Sequence, residues 1–241
     1  LVAIGILMTI LNRLPSVNNL IQNRTLQLGS AFGNTGYFGI PVSLALLPDH
    51  ALIYSIGFDL GATLVIWSLG PILLTDPSKV LSSNRYWKNF IKGIFSSPAV
   101  KGLIGALIIH SSPWDEQITD LLWIPSRVVI VLALVIVGMR LSWLRKANLS
   151  RIKNQITSIK NALIMKLVGL PVIMLIISSA IRLPSVMREA LVLQAAAPTA
   201  ISILLISQAA SRDEKEATSL VVFSTIIALI SIPAWLLILR L

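Results

Sequence analysis

The most constraining feature of this sequence is a series of long apolar segments, each near the length of a membrane-spanning helix. A helix that crosses the hydrocarbon core of a bilayer needs about 20 predominantly apolar residues. Eight segments of the 241-residue chain meet or approach that length, and they cover residues 1–11, 28–47, 52–74, 93–110, 121–139, 161–181, 187–208 and 217–239. Only 12% of the residues are charged, too few to cover a soluble domain of this size. The sequence therefore predicts an all-α integral membrane protein in a lipid bilayer, and it excludes a soluble enzyme or a nucleic-acid-binding protein.

The basic residues are distributed unevenly between the two sets of connecting loops. If every segment crosses the membrane once, the first set contains 15 Lys and Arg residues and comprises residues 12–27, 75–101, 140–160 and 211–216, whereas the second set contains two. Basic loops stay on the cytoplasmic side of a membrane. We therefore expect a multi-pass protein of the plasma (inner) membrane with the loops 75–101 and 140–160 in the cytoplasm.

Two of the eight segments contain residues that interrupt a helix. Gly36, Gly39 and Pro41 lie inside the second segment. Pro198 lies halfway along the seventh. Proline removes a backbone hydrogen bond, and polar backbone groups freed in hydrocarbon cost several kcal/mol unless protein or water satisfies them. A simple proline kink would explain either segment alone, but the pair favours two broken helices, which mark the substrate site of inverted-repeat transporters.

The positions of the two interrupted segments divide the chain into two blocks. Each interrupted segment is the penultimate one of its block, when residues 1–74 form the first block and residues 93–239 the second. The second block holds five segments and the first holds three. If the blocks are inverted repeats, two helices precede residue 1, and the intact protein has ten helices in a 5+5 arrangement, of which about eight are present here.

Several motifs resemble the auxin efflux carrier family, which includes the plant PIN-FORMED carriers and bacterial malonate-type permeases within the bile acid, arsenite and riboflavin transporter superfamily. The likeness covers nearly the whole chain. The sequence FGNTGYFGIP at residues 32–41 is similar to the fourth helix of that family, and QAAAP at residues 194–198 to the ninth. The sixth, eighth and tenth helices are matched by Ser97-Pro98 with Gly105, by KLVGLP at residues 166–171 and by residues 218–235.

The resemblance implies two inverted five-helix repeats whose interrupted fourth and ninth helices cross near the membrane centre. Family members export organic anions such as auxin or dicarboxylates, and a core domain is thought to move like an elevator against a scaffold. The implied parts are a core of residues 1–74 and 161–241, a scaffold of residues 93–139, and the cytoplasmic loops 75–92 and 140–160. The loop 75–92 is short compared with that of the plant carriers, and the polar second helix of the family is not present.

The predicted substrate-binding residues all lie on the two interrupted segments: Asn34, Gly36, Gly39, Pro41, Gln194, Pro198 and Thr199. A broken helix presents free N–H groups at an N-terminal end that carries about half a positive charge and attracts anions. The amides of Asn34 and Gln194 can donate to a carboxylate. The glycines would allow the two backbones to approach each other.

Three charged side chains lie inside predicted spans: Asp59, Arg127 and Lys166. Charges inside a membrane are costly and by default functional. Asp59 is predicted either to couple transport to H+ or Na+ or to face an outer vestibule. Lys166 and Arg127 lie near the ends of their segments, so both are predicted to be anchors that reach the membrane interface.

The sequence predicts neither a metal site nor a cofactor, and no catalytic residue is assigned. It contains no cysteine, and His50 and His110 are far apart with no carboxylate at ligand spacing. No zinc-protease, nucleophile-elbow or phosphate-loop motif is present in it. We therefore expect a protein that is not an enzyme.

The function expected from these observations is secondary transport of small organic anions, without ATP and with the substrate at the helix crossing. A transport-inactive membrane sensor or interaction protein is one alternative, and a proton- or cation-coupled exchanger using Asp59 is another. A second copy of the chain, forming a homodimer, is a further partner that the sequence allows. The sequence does not identify the substrate, the coupling ion or the direction of transport.

Overall fold

Helices form almost all of the regular structure in the computed structural model, which describes residues 2–13, 20–21, 23–74, 91, 95, 98–141 and 149–241. Most of the loop 75–92 and residues 142–148 of the loop 140–160 lie outside the described residues, as do Gly93 and Ser97. Within the described ranges the only β-type pairing is an isolated bridge between Gly33 and Thr199. The predicted all-α class is confirmed.

Ten helices follow one another along the described chain. They are α1 (Val2–Arg13), α2 (Arg24–Ala31), α3 (the π turn Thr35–Gly39 with Ile40–Leu46), α4 (Leu52–Leu74, after the 3-10 turn Asp49–Ala51), α5 (Pro98–His110), α6 (Asp115–Leu141), α7 (Leu149–Ile164, the π turn Met165–Gly169 and Leu170–Ala180), α8 (Ser185–Ala196), α9 (Ile201–Ala210) and α10 (Glu214–Arg240). The predicted segments 28–47 and 187–208 are each split into two half-helices, α2 with α3 and α8 with α9. Each of the other six predicted segments corresponds to one helix.

Three helical stretches in the described ranges are long and apolar enough to cross a membrane, judged by length and composition: Asp49–Ser68, Gln155–Ala180 and Glu214–Arg240. The second half-helices Thr35–Leu46 and Ile201–Ala210 are apolar but shorter. Each half-helix is too short to span the hydrocarbon core alone. Its broken end therefore lies within the apolar layer of the fold, where its backbone groups need partners from the protein.

A break is the segment between two half-helices, and of the two breaks only the second contains a proline. Residues 197–200 separate α8 from α9 and include Pro198. Residues 32–34 separate α2 from α3, and Pro41 lies further on, at the start of the α-helical part of α3. The helix continues through Pro41 because the preceding π turn shifts the hydrogen-bond register, so that the Ile40 N–H donates to the carbonyl of Thr35, five residues earlier. The prediction that Pro41 interrupts the first helix is therefore wrong.

Both α3 and α7 contain a π turn that ends two residues before a proline. In α7 the Leu170 N–H donates to the carbonyl of Met165, five residues earlier, and Pro171 follows. A proline clashes with the carbonyl four residues before it, which here belongs to Leu167. That carbonyl accepts a hydrogen bond of 2.8 Å from Trp235 Nε1 of α10. The indole thus satisfies a backbone group that the proline leaves without its helical donor.

The buried core is built by the helices on both sides of the two breaks. α10 packs against α2, α7, α8 and α9, and α4 packs against α8 and α9. Among the described residues, the cluster of buried apolar side chains draws no member from α5 or α6. On α6 many apolar side chains are exposed, Leu121 at 75% for example. The buried apolar cluster thus lies in the helices around the two breaks, and the division into core and scaffold stays a prediction.

Arginine side chains cap helix ends at the edges of this core. Arg24 and Arg212 donate to the carbonyls of Leu73 and Leu74 at the C-terminus of α4, at 3.3 and 3.2 Å. Arg240 donates to the carbonyl of Leu46 at the C-terminus of α3, at 3.1 Å. The last carbonyls of a helix lack intrahelical donors and carry partial negative charge. These contacts hold the half-helices in place from their outer ends.

The indole bond predicts a measurable loss of stability in Trp235→Phe. The substitution leaves the carbonyl of Leu167 buried without its donor, which we expect to destabilise the fold by about 1–3 kcal/mol. The measurement is the Tm of the purified protein in detergent or nanodiscs. Trp114→Phe is the control, because Trp114 is 63% exposed. Equal Tm values for the two variants would contradict this role of Trp235.

Candidate binding site at the crossing

The two breaks meet and pair through their backbones. The Asn34 N–H donates to the carbonyl of Pro198 at 2.6 Å, and the Ala200 N–H donates to the carbonyl of Phe32 at 3.0 Å. These bonds form the antiparallel bridge between Gly33 and Thr199. Residues 32–34 and 197–200 therefore constitute the crossing, at which each break satisfies backbone groups that the other leaves free.

Thr199 lies in the joint between the half-helices. Its side chain is fully buried, and its hydroxyl donates to the carbonyl of Gly29 in α2 at 3.0 Å. Its N–H donates to the hydroxyl of Ser224 in α10 at 2.9 Å. Both polar groups of Thr199 are thus engaged in holding α2, α9 and α10 together at the crossing.

Asn34 presents an unengaged amide at the start of α3. The residue is buried, with 6% exposed. Its backbone carbonyl accepts from the N–H groups of Phe38 and Gly39, both at 3.1 Å. Its side chain does not cap α3 and makes no hydrogen bond within the described residues. The amide is therefore free to contact a ligand.

Gln194 lies in the last turn of α8 with its amide packed against α3. The residue is fully buried, and its Nε2 donates to the hydroxyl of Ser43 at 3.2 Å. Ser55 of α4 donates to the same hydroxyl at 2.9 Å. The Oε1 atom of Gln194 is buried and has no hydrogen-bond partner in the described part of the chain. This second amide thus also has an unused polar atom near the crossing.

The two glycines of α3 each make room for a polar side chain. A Cβ atom at Gly39 would lie 2.9 Å from Cδ of Gln194. A Cβ atom at Gly36 would lie 3.2 Å from Oδ1 of Asp59. Gly36 therefore brings α3 against α4, whereas Gly39 brings α3 against α8.

Asp59 faces the first turn of α3. The carboxylate is partly buried, and its Oδ1 accepts from the Thr35 hydroxyl at 2.5 Å. Asp59 forms no ion pair in the described residues, where the ion pairs are His110 with Asp115 and Arg240 with Glu189.

Lys166 is the site residue that the sequence reasoning missed. It is fully buried, and its Nζ donates to the carbonyl of Ala195 in the last turn of α8 at 2.8 Å. The same Nζ would lie 3.0 Å from a Cβ atom at Gly33, so the ammonium group adjoins the crossing. The prediction of a snorkelling anchor is wrong, because the side chain points into the core. A charge within an apolar segment was the available signal.

Arg127 and His110 make their polar contacts within α5, α6 and the turn between them. Arg127 of α6 lies over the Trp123 ring, 4.3 Å from its centroid, on an exposed face. The anchor role of Arg127 stays a prediction. His110 contacts Asp115 at 2.9 Å in the turn between α5 and α6. Among the described residues, no three metal-binding side chains cluster.

A separate apolar groove lies between α1, α4, α7 and α8. Its volume is about 410 Å³, and its lining includes Ala3, Tyr54, Phe58, Met174 and Leu191. None of the predicted site residues and no charged side chain lines it. The groove can hold apolar material, but no charged side chain lines it that could pair with a carboxylate.

The close approach at Gly39 predicts a specific cost for a methyl group at that position. Gly39→Ala would push against the Gln194 amide, and overpacking of this kind costs about 1–3 kcal/mol. Gly57→Ala in α4 is the matched control, because nothing lies within 4 Å of a Cβ atom there. We expect a lower Tm for Gly39→Ala only. A control variant that is destabilised as much would contradict the packing described here.

Comparison of the chain with known protein families gives a match to one family. Residues 1–236 of the chain match the family described as membrane transport protein. A search of curated proteins finds no match.

Proposed function

The chain belongs to the membrane transport protein family, and from this premise we propose that it is a secondary carrier of small organic anions, such as auxin-like monocarboxylates or dicarboxylates. The substrate carboxylate binds at the crossing, and alternating access exposes that site to each side of the membrane. The observation that supports this most is the buried ammonium of Lys166 beside the crossing, with no ion-pair partner among the described residues.

A buried positive charge needs a compensating negative charge. Burial of an unpaired ammonium group is strongly unfavourable, since hydration is lost. The C-terminal end of α8 supplies only partial compensation, through the carbonyl of Ala195 at 2.8 Å. A substrate carboxylate completes the balance, which favours an anion over a neutral or cationic substrate.

The half-helices add to the attraction for an anion. The N-terminal ends of α3 and α9 both begin at the crossing, directly after residues 32–34 and 197–200. Each N-terminal end carries roughly half a positive charge and several N–H groups without intrahelical acceptors. Two such ends and one ammonium favour a carboxylate, which accepts hydrogen bonds through both oxygens.

Two amides give the site its direct polar contacts. The Asn34 amide makes no hydrogen bond within the described residues, and Oε1 of Gln194 has no partner there. In the proposal Asn34 donates to the carboxylate, and Gln194 contacts a more distant polar group of the substrate. In α3 this position is shaped by Gly36, Gly39 and Pro41. The facing segment of the crossing, residues 197–200, is held in place by Pro198 and Thr199.

Asp59 supports a second candidate, a proton- or cation-coupled exchanger. Its carboxylate accepts from Thr35 at 2.5 Å in the first turn of α3, and it has no ion-pair partner in the described ranges. A carboxylate at this position can bind H+ or Na+ when α3 moves. Transport by the anion carrier requires the site at the crossing, whereas transport by the coupled exchanger requires Asp59.

The anion site predicts a loss of transport in Asn34→Ala. Removal of a hydrogen bond to a charged group costs about 1.5–3 kcal/mol, so we expect binding to weaken roughly 10- to 100-fold. The measurement is uptake of radiolabelled monocarboxylates, dicarboxylates and indole acids by proteoliposomes. Asn161→Ala is the control, because the Asn161 amide donates to the carbonyl of Leu20. Unchanged uptake by Asn34→Ala, at equal protein content, would argue against this site.

The two candidates differ in their response to Asp59→Asn. The anion-carrier proposal predicts that flux survives the substitution at every pH tested, because the anion contacts lie elsewhere. Flux is measured in proteoliposomes across a pH series, with the exposed Asp49→Asn as the control. Loss of flux, or loss of its pH dependence, in Asp59→Asn alone would favour the coupled exchanger instead.

A further inference from the structure

The C-terminal end of α8 contacts the amino group of a lysine side chain. The last carbonyls of a helix have no intrahelical donors. At the end of α8 one of them, that of Ala195, accepts from Lys166 Nζ at 2.8 Å. The π turn Met165–Gly169 carries Lys166, and its geometry differs from that of a regular helix at this position. The ammonium therefore occupies the negative end of the half-helix.

The corresponding end of α2 is satisfied without a charge. There the Thr199 hydroxyl donates to the carbonyl of Gly29 at 3.0 Å, and the Ala200 N–H donates to the carbonyl of Phe32 at 3.0 Å. Neutral donors thus suffice at one half-helix end. The presence of a lysine amine at the other end calls for a separate explanation.

We propose that Lys166 is a built-in cation of the crossing, whose ammonium group occupies the place where a free monovalent cation such as Na+ would bind to the end of α8. In transporters with broken helices, unwound carbonyls and half-helix C-termini coordinate the coupling cation. With Lys166 in that place, the anion needs no Na+ to accompany it. The consequence for the anion rests on the proposed function, but the cation position can be tested without any substrate.

Two polar atoms adjoin Gly33 beside the crossing. A Cβ atom at Gly33 would lie 3.0 Å from Lys166 Nζ and 3.3 Å from the carbonyl oxygen of Ala197. The ammonium and this second carbonyl therefore flank the same glycine. Truncation of Lys166 would free the carbonyl oxygen of Ala195, which a Na+ or small alkylammonium ion could then contact.

Thermal unfolding of the full chain in nanodiscs tests the cation position. Tm is measured in NaCl, KCl, methylammonium chloride and choline chloride at equal ionic strength. We expect Lys166→Ala to have a lower Tm in choline and to regain at least about 2 °C in methylammonium or Na+. Wild-type protein and Lys160→Ala should show no such difference, because Lys160 is an exposed lysine on the same helix.

Two results would overturn the built-in cation. One is a Tm of wild-type protein that rises in Na+ relative to choline, because the cation site would then be open. The other is a Tm of Lys166→Ala that is the same in all four salts. If Lys166→Ala does not fold, the wild-type series still decides, because a Tm that rises in Na+ relative to choline overturns the proposal.

Uptake in proteoliposomes separates this inference from the proposed function. Anion uptake of equal rate in Na+ and in choline supports both. Uptake that requires Na+ would overturn the built-in cation and leave the anion carrier intact. Absence of uptake in every salt would count against the carrier, while the Tm series would still decide the cation position.

Discussion

The backbone pairing of two helix breaks is the interaction on which the rest of this structure depends. Asn34 and Ala200 donate across the crossing, to Pro198 and Phe32, at 2.6 and 3.0 Å. In hydrocarbon, unsatisfied backbone groups cost several kcal/mol each, so neither break is stable alone. Their pairing permits four half-helix ends to meet inside the apolar core. Without it the chain could form continuous helices, but it would have no polar interior site.

The crossing joins two opposite electrostatic environments within a few residues. The N-terminal ends of α3 and α9 favour an anion, while the C-terminal end of α8 favours a cation and receives Lys166. Asp59 lies on the other side of α3, held by Thr35. A pair of broken helices therefore provides one position that favours negative charge and another that favours positive charge. A carrier built in this way can bind an ion without a large polar cavity.

Periodicity and composition predicted most of the fold, because spans of about 20 apolar residues have few alternatives. All eight predicted segments correspond to helices, and the two split ones are the two that were predicted to be broken. The site was less predictable. The first break lies at residues 32–34 and not at Pro41, because a π turn lets the helix continue through that proline. The direction of the Lys166 side chain depends on a π turn and on packing against α8, and neither can be derived from spacing along the sequence.

The central claim is that a carboxylate binds at the crossing, and its most direct test is a structure determined with a bromine-labelled aromatic carboxylate. The account predicts bromine density close to the crossing, with the carboxylate within hydrogen-bond distance of the Asn34 amide and the Lys166 ammonium. Density only in the apolar groove between α1, α4, α7 and α8, with the crossing unchanged, would contradict it.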